Sequence, residues 1–300
     1  MHVLCDKGVF MKRFLSLILL LVMIFAFVGC GNSVPRAATK YSIYYYTSTG
    51  GTVAPRGEVP EGAKSHKDLM FTDLYGNETP ATETSPYVMD LNGKTYTFLP
   101  HGILENPLST HPNKTLSACG FAEIYVSDSC FLRLRQSTQE ILAFTPLTIA
   151  RGYDFTEAEG RERADRLLVA LYGDSAAQTY AHVESENFAG AYKTTYTRFL
   201  CGVATDDTIT ISLTGDLEIY EISAKHLHYF DFIADHLQES WITAAREHLL
   251  SALGEGYSLV NETLTIDAYG TLYLTAQAYL VDESGAPAPT ATTYWINVTE

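Results

Sequence analysis

Apolar residues in this chain recur mainly at every second position, a spacing that sends successive side chains to opposite faces of a pleated strand. It predicts strands at 41–47, 121–126, 130–135, 140–149, 191–199, 208–213, 217–222, 262–267, 271–281 and 293–298. The sharpest local signal lies between Pro86 and Pro100, where YVMDL and KTYTF flank Asn92-Gly93. Asn and Gly both tolerate positive φ, so this reads as a hairpin closed by a type I′ turn. In the pair 208–213 and 217–222, Ile209, Ile211, Leu213, Leu217 and Ile219 are expected to line one face across a Thr214-Gly215-Asp216 turn. Residues 50–85 are dense in Gly, Pro, Thr and Glu and are expected to be mostly loop.

Two stretches change period. Thr156 and Glu159 form a capping box, and Ala164, Leu167, Leu168 and Leu171 follow at helical spacing up to Gly173. Trp241, Ala245, Leu249 and Ala252 mark a second amphipathic helix, ended by Gly254. Ala164 and Ala245, Leu168 and Leu249, and Gly173 and Gly254 stand at one constant separation, which suggests a repeat. The expected fold class is therefore α+β. A β-rich region over 41–150 would be followed by two helix-plus-antiparallel-sheet units, at 151–232 and 233–300.

A family resemblance enters in the first of these units. Tyr192, Tyr196 and Arg198, then Gly202-Val203, Ile209 and Ile211, then Gly215, Leu217, Ile219 and Tyr220 resemble the YxxxYxR…G(I/V)…IxI…GxIxxY pattern of PepSY-type, YcdB/YcdC-like extracellular repeats. The similarity covers about 156–222 and, more faintly, 240–298. It implies cystatin-like modules of a cell-envelope protein, some of which are proposed to regulate peptidases. It carries over no catalytic residue.

The front of the chain supplies an address. Lys12 and Arg13 precede an uncharged apolar run from Phe14 to Val28. That is the length of a secretory signal core and falls short of the roughly 20 residues that span a bilayer. Met11 is the expected true start. Phe27-Val28-Gly29-Cys30 resembles a bacterial lipobox, with Phe27 where that motif usually carries Leu. The resemblance implies that 1–29 is removed and that Cys30 is lipidated, with 30–40 as a tether; the alternative is an uncleaved helical anchor. Acyl chains on Cys30 would hold the protein to the outer face of the cell membrane.

Charge and cysteine content narrow the remaining choices. With 35 acidic against 20 basic residues, the net charge is −15, which repels phosphate backbones and excludes nucleic acid as a partner class. With 46% apolar residues the chain has ample core material. Beyond Cys5 and Cys30 only Cys119, Cys130 and Cys201 remain. A Cys119–Cys130 disulfide is disfavoured by strand spacing, so buried free thiols are expected, with Cys201 packed in a strand.

Candidate chemistry is sparse. His226, His228, Asp231, Asp235 and His236 form the one dense cluster of potential metal ligands. Two histidines at alternate strand positions would share a face; the competing reading is a polar connection with Asp235 capping the next helix. The acidic pairs Glu184/Glu186 and Asp206/Asp207 suit paired-carboxylate chemistry but are expected by chance in so acidic a chain. Tyr44-Tyr45-Tyr46 belongs to an excess of 20 tyrosines, which suits sheet packing first and sugar stacking second. No catalytic motif, metal or cofactor is assigned. The first expectation is a non-catalytic, surface-anchored lipoprotein that binds or regulates an envelope protein or peptide. A glycan- or solute-binding lipoprotein is the second, and a secreted hydrolase, metal-assisted through His226 and His228, the third.

Overall fold

The computed structural model describes residues 34–46, 70–72, 78–80, 87–91, 93–127, 129–146, 152–281 and 292–300. The expected signal segment 1–29, Cys30 and most of the expected 50–85 loop lie outside the described residues. The elements run β1 (Ile43–Tyr46), β2 (Met70–Thr72), β3 (Glu78–Pro80), β4 (Tyr87–Leu91) and β5 (Lys94–Glu105). A single turn of 3-10 helix (Pro107–Thr110) leads to α1 (Lys114–Ala118), β6 (Phe121–Val126), β7 (Cys130–Arg135) and β8 (Ile141–Pro146). Then come α2 (Glu157–Tyr172), α3 (Ala176–Thr179), β9 (His182–Phe188), β10 (Ala191–Leu200), β11 (Val203–Thr214) and β12 (Glu218–Lys225). The chain closes with α4 (Glu239–Leu253), β13 (Tyr257–Ile266), β14 (Leu272–Leu280) and β15 (Thr292–Asn297).

β11 is the spine. One of its edges pairs antiparallel with β10. On the other, residues 208–214 pair with β12, while Ala204 and Thr205 pair in parallel with Thr263 and Leu264 of β13. The sheet therefore runs β1-β15-β14-β13-β11-β12-β8-β7-β6-β5-β4, and β10 and β9 extend it from the opposite edge of β11. It has 13 strands, while β2 and β3 form a ladder of their own.

This overturns the expected fold class. The chain does not divide into a β-rich region and two helix-plus-antiparallel-sheet units; strands dominate and join into one mixed sheet. Ile222 and Ser223 of β12 pair with Phe144 and Ala143 of β8, across residue 150, and the parallel β11–β13 step crosses residue 232. The physical reason is the length of β11. Its 12 residues are enough for two neighbours on one edge, and side-chain alternation reports faces, not edges.

Locally the pattern readings fare better. Leu91 pairs with Lys94 and Gly93 has φ 74°, as a two-residue turn requires. Thr156 caps α2 through its hydroxyl, and the Glu159 carboxylate accepts from the Thr156 amide at 2.8 Å. Ala164, Leu167 and Leu168 are buried as expected. At Gly160 an added Cβ would stand 2.7 Å from the rings of Phe155 and Tyr192, so only glycine lets α2 sit this close to the sheet. In α4 Ala245 and Leu249 are buried as expected, but Ile242 takes the first buried place, with Trp241 at the margin and Ala252 exposed.

Leu217 has φ 64° and belongs to the β11–β12 turn, not to a strand. Cys201 and Gly202 both have positive φ and close the β10–β11 hairpin, which leaves Cys201 exposed. Cys119 and Cys130 are buried, and all three described cysteines are free thiols. At the other end of the chain, Ala38 donates to the Val298 carbonyl at 2.9 Å and β1 pairs with β15, so 37–46 run along the last strand.

Apolar side chains gather in two large clusters. The first joins α2 to β10–β12 and β5–β8; the second joins α4 to β13–β15. A smaller one holds Leu108, Leu116 and Cys119. All three meet at 226–237: Leu227 enters the first, Phe230, Ile233 and Leu237 the second, and Tyr229 and Phe232 border the third.

Candidate functional site

The sequence HLHYFDFIADHL at 226–237 sends its apolar residues into three different clusters, so a regular strand cannot serve it. The chain instead takes successive turns, with Tyr229 donating to the His226 carbonyl and Leu237 to that of Ile233. His226 (φ 55°) and His228 (φ 67°) both adopt the left-handed conformation. They therefore do not share a strand face as the metal reading requires. His226 Nδ1 lies 2.7 Å from Asp206 Oδ2 without hydrogen-bonding geometry, and its ring packs on Tyr229.

His228 is held by two carboxylates. Nδ1 meets Asp231 Oδ2 and Nε2 meets Glu140 Oε2, each at 2.7 Å. With an acceptor at each ring nitrogen the imidazolium form is favoured. The bonds to Asp231 and then Glu140 push the His228 pKa up to about 9. Burial would raise Glu140 and Asp231. The hydrogen bonds from His228, with Thr138 at Glu140 and Arg198 at Asp231, outweigh it and hold both below the usual carboxylate range.

The chain of contacts continues inward. Arg198 Nη1 donates to Asp231 Oδ1 at 2.5 Å and approaches Asp207 Oδ2 at 3.4 Å. The Tyr180 hydroxyl donates to Asp207 Oδ1 at 2.8 Å. Asp207 is fully buried, and burial raises its pKa to about 7. Nearby, buried Arg135 donates Nη2 to the Leu227 carbonyl at 2.6 Å. The seam thus ties the β7–β8 turn, β10, β11 and the residue after α3 to the segment that leads into α4.

What this seam can do chemically is restricted by how fully it is engaged. Both nitrogens of His228 are occupied, Asp207 is sealed from solvent, and the hydroxyls beside them, those of Thr138 and Tyr180, are spent on Glu140 and Asp207. Burial pushes the Cys119 thiol up to about 11, which leaves it unreactive. Among the described residues, no group of three or more His, Cys, Asp or Glu side chains is arranged to hold a metal ion. Asp235 and His236 are exposed, and the N-cap of α4 is Gln238 with no side-chain bond, so Asp235 does not cap it. The seam is a brace.

A different feature faces outward. Among the described residues β9 pairs with β10 alone, and six of its seven residues are exposed. The turn that joins them, Ala189 (φ 53°) and Gly190 (φ 84°), is a two-residue turn of type I′ geometry. Phe188 and Ala191 therefore form the closing hydrogen-bonded pair, and antiparallel alternation assigns Glu186, Glu184 and His182 to the β10 side. The amides and carbonyls of Val183, Ser185 and Asn187 point to the open edge. Glu184 and Glu186 stand on one face, 79% and 60% exposed, with His182 and Lys193 beside them. HVESENF has no apolar alternation to mark it as a strand.

The tyrosine run divides as alternation dictates. Tyr45 lies 6.0 Å from Tyr294, and Tyr44, 56% exposed, projects from the opposite face opposite Trp295, its ring 6.2 Å from Tyr273.

Comparison with known proteins returns little. No family model matches the chain, and no curated protein matches it. Among solved structures, the Bacillus megaterium YpeB C-terminal domain is similar over 65% of this chain and 79% of that one, at 10% identity and a TM-score of 0.28. Likeness at that level carries no argument for fold or function. No described helix is long and apolar enough to cross a membrane.

Proposed function

We propose that the protein is a non-catalytic lipoprotein, anchored through Cys30, that binds a protein or peptide partner at the cell envelope. The observation that carries this reading is the outer edge of β9, a row of main-chain donors and acceptors that no other described strand pairs, on a strand with six of its seven residues exposed. Such edges capture extended segments by strand addition. The side chains of the His228 seam bond to one another, which fits a structural role for that cluster.

The test is site-specific photo-crosslinking in the native cell, with the reactive group at Asn187 and, as control, at Tyr269, which is exposed elsewhere. A discrete protein adduct from Asn187 alone is expected. Equal adducts from both positions, or none from either, overturn the reading. Cys30→Ala is expected to move the chain from the membrane fraction to the medium; retention in the membrane overturns the anchor.

A second reading draws on Tyr44, Tyr273 and Trp295, which put aromatic rings on one sheet face of the kind that stack on sugars. Quenching of tryptophan fluorescence by soluble wall oligosaccharides, absent in Trp295→Phe, is the result that would favour it.

A further inference from the structure

An open edge alone does not say what it receives, but the side chains on β9 do. Consider first a second copy of the chain. Two-fold antiparallel pairing of β9 with itself, centred on Ser185, sets Glu184 of each copy opposite Glu186 of the other on the same face. Like charges directly opposite one another destabilise a strand pair. Acidic residues on an edge are also a common guard against edge-to-edge association. The edge is thus defended against its own kind.

The same placement favours the opposite sign. Glu184 and Glu186 project from alternate positions, a spacing that matches the period of any incoming strand. The field of the whole chain, with its net charge of −15, points the same way. Lys193 neutralises Glu186 in part at 2.9 Å, and the histidine beside Glu184 lies at 3.2 Å, so neither carboxylate is locked in a buried pair. On the other face Val183, Ser185 and Asn187 offer small, uncharged neighbours.

We infer that β9 takes up an extended cationic peptide segment, with lysine or arginine at alternate positions over Glu184 and Glu186 and main-chain hydrogen bonds to Val183, Ser185 and Asn187. This rests on the partner-binding reading above and narrows it to one edge and one ligand chemistry.

Ser185→Pro is the discriminating variant. The Ser185 amide faces outward, so proline removes the central donor without breaking main-chain bonds to β10, at the loss of the 3.2 Å hydroxyl contact between Ser185 and Thr194; Ser185→Ala, which loses that contact and keeps the amide, is the control and should bind as the wild type does. Binding of a labelled alternating Lys-Val peptide to the full chain is measured by fluorescence polarisation, beside an alternating Glu-Val peptide and a Lys-Val peptide N-methylated on alternate amides. An unchanged melting temperature confirms that each variant is folded. The Lys-Val peptide is expected to bind. Ser185→Pro should weaken it about tenfold, the worth of roughly one main-chain hydrogen bond, and N-methylation, which removes every amide the peptide offers to the edge, should weaken it further. Glu184→Gln with Glu186→Gln should weaken it about threefold to tenfold, and added salt should remove most of that difference. Undiminished binding to Ser185→Pro overturns the edge as the site. Equal binding of the Glu-Val peptide overturns the cationic preference. Adducts at Asn187 in the cell without any Lys-Val binding sink this inference while leaving partner binding intact; absence of both removes the two together.

Discussion

His228 couples its charge state to folding through two carboxylates. Because Asp231 and Glu140 favour its charged form, the folded pKa is about 9 against the ordinary 6.5. The stabilisation is complete below about pH 6.5 and is lost as pH rises through 9. Asp207 acts in the same direction at lower pH. Burial raises its pKa from 3.8 to about 7, so the protonated form favours folding and that contribution fades between those values. Glu140 and Asp231, both held low, act in the opposite sense, adding stability above their unfolded pKa values and losing it as pH falls. The urea midpoint should therefore be highest on the acid side of neutrality. It should fall between pH 6.5 and 9.5 by the equivalent of about 2 kcal/mol, a figure reduced for the partial exposure of the imidazole. His228→Gln should lower stability at pH 6.5 and flatten the alkaline limb. A wild-type midpoint unchanged over that range would show that the imidazolium does not bridge the two carboxylates.

At the scale of elements, β9 makes the sharpest forecast. Its amides at Glu184, Glu186 and Phe188 bond to β10, while those at Val183, Ser185 and Asn187 face outward. Hydrogen exchange resolved to single residues should alternate along the strand, slow at the first set and fast at the second. Uniform protection would mean that some other part of the chain already occupies the edge. β9 also shows where sequence reading stops. Strands such as β10 and β11 were legible because one face is buried and apolar residues mark it. β9 half-buries only Val183 and leaves no periodic trace. α2 was legible to the residue through its capping box and leucine stripe. In α4 the buried stripe begins at Ile242 instead of Trp241, since a large aromatic at a helix margin satisfies either register. The polar cluster at 226–236 was visible, but its partners Glu140, Arg198 and Asp207 are distant in sequence, and no spacing rule connects them.

For the whole molecule, the question is whether the two large apolar clusters act as one cooperative unit. Each has its own helix, which by itself suggests independent folding. Against that, β11 contributes Val203 to the second cluster and Ile209, Ile211 and Leu213 to the first, so a single continuous backbone carries both. The segment 226–237 does the same from the other side, and the His228–Arg198–Asp207 seam fixes it to β10 and β11. Melting either cluster alone would strand half of β11 and expose a buried arginine and aspartate, whose separation costs about 3–5 kcal/mol. Coupling should therefore prevail. The distribution of chromophores offers a clean test, because both tryptophans, Trp241 and Trp295, belong to the α4 and β13–β15 region. Leu132 is fully buried in the first cluster, away from both. Leu132→Ala should destabilise the protein by about 2–5 kcal/mol through loss of packing. In a coupled molecule, that remote truncation lowers the unfolding midpoint reported by tryptophan fluorescence as much as the one reported by far-ultraviolet circular dichroism, and the two curves stay superimposed. If the fluorescence transition stays at its wild-type midpoint while the dichroism transition shifts and splits, the clusters fold separately. The parallel contact between β11 and β13 would then be a docking of two bodies instead of the continuation of one sheet.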